Sequence, residues 1–164
     1  MGQRSIAQAI LLGGLLGGAF DLVFAVSFAG YHGAAPSRVF QTIASGLLGN
    51  DAFSGGNGVE ALGIACHFGL SMLWAAIFAT VAWQMPALPR RPVFAGIGFG
   101  LVVFLCMRLV VLPLSAYPRP VTFEPLATAL DLLSHMFLFG VPIAVAVSRA
   151  VRARRSSDSF KPMR

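Results

Sequence analysis

Residues Leu126–Ser148 read LATALDLLSHMFLFGVPIAVAVS, a helix-length apolar run with one acid, Asp131, and one histidine, His135, set into it. About 20 such residues cross a hydrocarbon core of about 30 Å. Three more stretches repeat the pattern: Ile6–Phe28, Ala61–Trp83 and Val93–Leu114. Asp21 interrupts the first, His67 the second and Arg108 the third. An ionisable group at bilayer depth is costly, so it marks a functional site or an internal ion pair. The expected fold is all-α, a polytopic transmembrane four-helix bundle.

Composition agrees. The chain is 57% hydrophobic and only 11% charged, against about 25% charged in a soluble domain. One transmembrane domain over residues 1–150 and a basic tail over 151–164, expected to be disordered, account for all 164 residues. The net charge of +6 does not point to nucleic acid, because the basic residues gather in short loops and at the termini. They set orientation instead. With the amino terminus inside, Arg4, Arg90, Arg91, Arg149, Arg152, Arg154, Arg155, Lys161 and Arg164 are cytoplasmic, nine of twelve. Arg38 and Arg119 then lie outside. Both termini are expected in the cytoplasm of a bacterial inner-membrane protein, and the basic tail is expected to meet anionic lipid.

The first stretch resembles a signal peptide only in part. Asp21 breaks its apolar run and no A-x-A site precedes it, so a retained helix is expected. After it, Pro36 can open a helix over 36–48, with Val39, Phe40, Ile43, Ala44, Leu47 and Leu48 at helical spacing. Ser37, Arg38, Gln41, Thr42 and Ser45 take its other face. That helix is too short to span and is expected at the external interface, as a plain connector or as a lid over a site. Gly49–Gly58 reads as a turn-rich loop. Pro113 and Pro142 should bend or end their helices.

Register brings the charges together. Gly13, Gly17 and Asp21 are four apart, as are Gly96, Gly100, Phe104 and Arg108, so each charge shares a face with small residues. Gly14 and Gly18 make a second small pair. Such faces let helices approach closely; packing within this bundle is the expected use, and a homodimer the alternative. Counting from the helix ends at 1.5 Å per residue, Asp21, His67, Arg108 and Asp131 all fall about 8–11 Å below the outer surface, with His135 about 5 Å deeper. Glu60, His67, Ser71 and Trp74 share a face of the second helix. Glu124, Thr128, Asp131 and His135 share one of the fourth, and Glu60 and Glu124 give the outer mouth an acidic rim.

Arg108 is expected to pair with Asp21 or Asp131. His67, Asp131 and His135 are weak metal candidates, because the nearby guanidinium repels a cation. No metal and no cofactor is expected. Cys66 and Cys106 form no CxxC and read as small buried hydrophobes. Ser71, Ser134 and Cys66 lie near histidines without any nucleophile motif, so catalysis is not expected. Two carboxylates and two histidines around one arginine exceed what packing needs. The layer is expected to serve a small ion or solute permease, a channel or a proton-responsive transporter. A non-transporting scaffold or partner subunit is the alternative, and a membrane-embedded metal enzyme comes third.

Between Cys66 and Val147 the chain resembles the YagU-type bacterial inner-membrane proteins. The likeness rests on His67, Pro86, Gly96, Gly100, the Pro113–Leu114 pair and the Asp131-x-x-x-His135 step. The position of Arg108 looks like a histidine in the type member of that group, so this chain departs from it there and the resemblance does not extend to an arginine-centred ion pair. The Ile43 run IASGLLG, with AFSGG from Ala52, is similar to that of other bacterial four-helix proteins. The resemblance implies a four-helix fold and an inner-membrane location.

Overall fold

The computed structural model describes residues 5–159. Its first helix, α1 (Ile6–Tyr31), starts at a capping box in which the Ser5 hydroxyl accepts from the Gln8 N–H and Gln8 accepts from Ser5. The reciprocal bonds satisfy two backbone donors that a helix start leaves open. At its other end the His32 ring bonds the Phe28 carbonyl at 2.9 Å and Gly33 turns the chain at φ 81°. Helix α2 (Pro36–Leu48) opens on its proline as expected and ends at Gly49, φ 61°. The Gly49–Gly58 loop is shorter than its composition suggests. Gly49–Ser54 form a 3₁₀ turn, and α3 (Asn57–Gln84) already begins at Asn57, with Glu60 in the first turn where the helix dipole favours an acid.

A single turn, α4 (Ala87–Arg90), links α3 to α5, and α5 runs as Pro92–Cys106, Met107–Val111 and Leu112–Leu114. Helix α6 runs as Pro125–Leu133, Ser134–Gly140 and Val141–Ser159. Four helices, α1, α3, α5 and α6, are long and apolar enough to cross a membrane. The protein is an all-α bundle of membrane-spanning type. Four antiparallel spans return both described ends to one end of the bundle; α2 closes the other.

The two middle segments, Met107–Val111 and Ser134–Gly140, are π-helical. Each lies just ahead of a proline. Pro113 has no N–H for the Leu109 carbonyl, and Pro142 has none for that of Leu138, so the preceding turns widen; the Leu112 N–H reaches the Met107 carbonyl. The prolines loosen these helices without ending them.

The core fills the end away from α2. Ala75, Phe78, Ala79, Ala82, Val103, Phe139, Ile143, Ala144, Val147 and Val151 pack together there, with Ile6 and Ile10 from α1 against them. The stripe Ile143, Val147, Val151 does not stop at Ser148, and this corrects the expected disordered tail. Helix α6 continues to Ser159, with Val151 fully buried. Arg155 donates to the Trp83 carbonyl, and the Arg154 and Arg155 guanidiniums lie 5.8 and 5.5 Å from the Trp83 ring. Residues 160–164, and with them Lys161 and Arg164, lie outside the described residues, as does Arg4.

Helix α2 is more than a surface connector. Its Phe40 backbone rests on Gly63 of α3, where no Cβ would fit. Gln41 donates to the Gly55 carbonyl at 2.9 Å, and the Ala116 N–H to that of Gly46 at 2.9 Å. Ser45, placed with the polar face of α2, is fully buried beside Ala44. Its hydroxyl is satisfied locally by the Thr42 carbonyl at 2.7 Å, so burial leaves no donor unpaired.

Candidate functional site

Glycines set how closely the site's helices meet. A Cβ on Gly13 would meet the Ile143 backbone at 3.2 Å, and one on Gly17 the Phe139 carbonyl at 2.8 Å, both on α6. Gly14 and Gly18 face α3 instead, at Met72 and Ser71. On α5, Gly96 packs on Val141 and Gly100 on the His135 carbonyl, while Gly140 of α6 packs back on Gly96. The small residues are thus consumed by packing within this bundle.

Those close seams carry the charged residues inward. Arg108 places Nη2 2.9 Å and Nε 3.3 Å from Asp131 Oδ2, and Nη1 donates to the Thr122 carbonyl at 2.6 Å. Of the two expected partners it takes Asp131. The rings of Phe104 and Phe123 flank the guanidinium, 5.3 and 5.4 Å from its centre. Asp21 instead accepts from the Ser134 hydroxyl at 2.7 Å and lies 3.7 Å from His135 Nδ1. That same nitrogen is 2.9 Å from the Asp131 carbonyl and 3.2 Å from Asp131 Oδ1. Arg108, Asp131, His135 and Asp21 therefore form one chain of polar contacts across α5, α6 and α1. It holds two carboxylates and one guanidinium, and His135 stands between the carboxylates.

His67 belongs to the same level but not to that chain. Its Nε2–H donates to the Gly18 carbonyl at 2.8 Å, and the Ser71 hydroxyl donates to the His67 carbonyl at 2.9 Å. The contact fixes the proton on Nε2 and holds α3 against α1. It also turns His67 from the third-ligand role considered for a metal. Among the described residues no group of three or more His, Cys, Asp or Glu side chains is placed to hold a metal ion. Cys66 and Cys106 are free thiols.

Two cavities adjoin the layer. The smaller, about 310 Å³, is lined by Arg108, Thr122, Glu124, Thr128, Asp131 and His135 among others. The whole predicted α6 face, Glu124 to His135, meets there. The larger, about 540 Å³, lies between α3 and α5 under α2. Thr42, Ile43, Gly46 and Leu47 roof it, and Asp21, His67, Ser71, Trp74 and His135 stand in its wall. Below it the Trp74 and Phe78 rings pack edge-on against Phe99, with centroids 6.2 and 5.0 Å apart, and join the apolar core. Glu60 lines neither cavity, so of the acidic rim only Glu124 meets one.

Each cavity also holds a buried polar atom with no hydrogen-bond partner among the described residues: Thr128 Oγ1 in the smaller, Trp74 Nε1 in the larger. Helical spacing put both residues on the right faces, but an unmet hydrogen bond depends on neighbours that spacing does not supply. Thr122, on the connection before α6, has no signal in the sequence at all. Comparison with family models, with curated proteins and with solved structures finds no match to this chain.

Proposed function

We propose that the protein is a small proton-responsive permease of a bacterial inner membrane, with both termini cytoplasmic and the α2 end outside. The YagU-type likeness is part of this proposal. One observation carries it: an apolar cavity roofed by α2, ended by a packed core, with Asp21, His67 and His135 in its wall. Cavities of this size and character hold small organic molecules. Histidine's ordinary pKa, about 6.5, lets its charge change within the physiological range. In this orientation the cavity occupies the outer half of the bundle and the core seals the inner half. Transport then requires the seam of Trp74, Phe78 and Phe99 to part. The π turns beside Pro113 and Pro142 interrupt the regular hydrogen-bond ladder and are the points about which α5 and α6 would bend.

The test is proton movement in pyranine-loaded proteoliposomes challenged with a panel of amines, amino acids and inorganic ions. A solute-dependent pH change absent from protein-free vesicles supports the permease. Silence across the panel overturns it in favour of the second reading, a non-transporting partner subunit. That reading draws on the satisfied state of the chain, since Arg108, Asp131, His135 and Asp21 all have partners within the protein.

A further inference from the structure

We infer that the larger cavity takes a monovalent organic cation with an apolar body, its charge seated at Asp21. The inference rests on the permease reading only for the step of transport. Charge separates the two cavities. The smaller holds Arg108 together with Glu124 and Asp131. In the larger, among the described residues, Asp21 is the only carboxylate and no guanidinium or ammonium lines the wall. Most of the lining around it is apolar or aromatic, including Leu70, Trp74, Val103 and Phe139, with the hydroxyls of Thr42, Ser71 and Ser115 and the rings of His67 and His135 among its other polar groups. A carboxylate in such surroundings attracts a cation strongly and repels an anion, because little water screens it. Anionic solutes are excluded on the same ground.

Charge balance gives the same sign. The layer holds Asp21 and Asp131 against Arg108, so with His135 neutral it lacks one positive charge. A proton on His135 supplies that charge from between the two carboxylates, 3.2 Å from Asp131 and 3.7 Å from Asp21. A bound organic cation supplies it equally well. The two then compete, and binding expels a proton, which is the exchange a proton-responsive permease needs. The groups facing His135 are Asp21 from α1, Arg108 from α5 and Asp131 on its own helix. His67 and Cys66 of α3, with Tyr117 before α6, complete the titratable lining of the larger cavity.

Trp74 adds an independent observation. Its buried Nε1–H has no hydrogen-bond partner among the described residues, and its side chain lines the cavity. An unmade buried hydrogen bond is costly, and a ligand acceptor would relieve it. Gly18 packs at the level of Ser71. Asp21 is three residues to one side of that level and Trp74 three to the other, so about 9 Å separates them along the helix axes. The favoured ligand is therefore an amine whose apolar body spans that length and ends in a hydroxyl, ether or carbonyl.

Tetraphenylphosphonium and tetraphenylborate have one shape and opposite charge, and they serve as the probes. Binding is followed by Trp74 fluorescence in the detergent-solubilised full chain carrying Trp83→Phe. Saturable tetraphenylphosphonium binding is expected, weaker at pH 5 than at pH 8, with tetraphenylborate weaker by more than about tenfold. Asp21→Asn should remove that preference. Should Asp21→Asn fail to fold, Gly69→Leu serves: Gly69 lines the cavity and a Cβ there meets nothing within 4 Å, so a side chain can begin there without a backbone clash and take up cavity space. It should abolish binding. Equal binding of both probes, no binding of either, or binding untouched by Gly69→Leu overturns the inference. A phospholipid retained by the wild type and lost in Gly69→Leu also overturns it. Cation binding without flux of that cation in liposomes overturns the permease and leaves the ligand class standing.

Discussion

The Arg108 guanidinium holds a single oxygen of Asp131, Oδ2, through both Nη2 and Nε, across the seam between α5 and α6. Both side chains are mostly withdrawn from solvent, at 19% and 33% exposure. Such a pair is weak evidence of stability, since desolvation offsets the attraction, yet losing one member leaves the other charge uncompensated.

Arg108→Leu should therefore cost about 3 kcal/mol, the lower end of the range for a buried pair, because a third of Asp131 remains exposed. Arg108→Leu with Asp131→Asn should recover most of that loss. Arg108→Leu with Asp21→Asn should not, because Asp21 accepts from Ser134 and lies 3.7 Å from His135 instead. Melting in detergent ranks the three variants, and recovery by the Asp21 double variant would contradict the pairing.

Glycine substitutions should divide by what lies over them. A Cβ on Gly100 would collide with the His135 carbonyl and Met136, all backbone of α6. Backbone cannot step aside as a flexible side chain can, so Gly100→Ala should destabilise by about 1–3 kcal/mol. Gly98 is on the same helix with nothing within 4 Å. Gly98→Ala should be neutral or stabilising by up to about 1 kcal/mol from helix propensity. Equal melting temperatures for the two would show that α5 and α6 are not packed this closely.

Orientation makes its own prediction. By sequence, nine of the twelve basic residues are cytoplasmic if both termini are. A phosphatase fused after the carboxyl terminus should then be inactive, and one inserted at Asn50, between α2 and α3, active. The reverse pattern would place the larger cavity on the cytoplasmic side.

How much of this the sequence carries depends on the kind of interaction. The four spans follow from hydropathy, and α2 follows from Pro36 and the spacing after it, because both are local properties. The gathering of Asp21, Arg108, Asp131 and His135 follows from helical register and depth. The choice of Asp131 over Asp21 as the partner of Arg108 does not, since both lie at the right depth and only the rotation of α1 decides. The π turns are hidden for a related reason: Pro113 and Pro142 announce a lost hydrogen bond but not how the turn before them widens. The helical tail was open to reading, because Ile143, Val147 and Val151 continue one stripe past Ser148. Its basic side chains concealed a buried face.

The histidines separate the permease from the partner subunit. His67 makes a hydrogen bond from Nε2 to the Gly18 carbonyl, and glutamine can keep a donor there. His135 sits between two carboxylates, where a change in its charge alters the balance of the whole layer. If the protein couples solute to protons, its transport should vary between about pH 5 and 8, and His135→Gln should flatten that profile. His67→Gln should shift melting little and leave the profile in place, because His67 lies outside the ion chain. Transport present in wild type, pH-insensitive in His135→Gln and accompanied by unchanged melting would exclude a purely architectural role for the layer. A pH profile that survives His135→Gln would move the proton site to another residue and remove the competition between proton and cation.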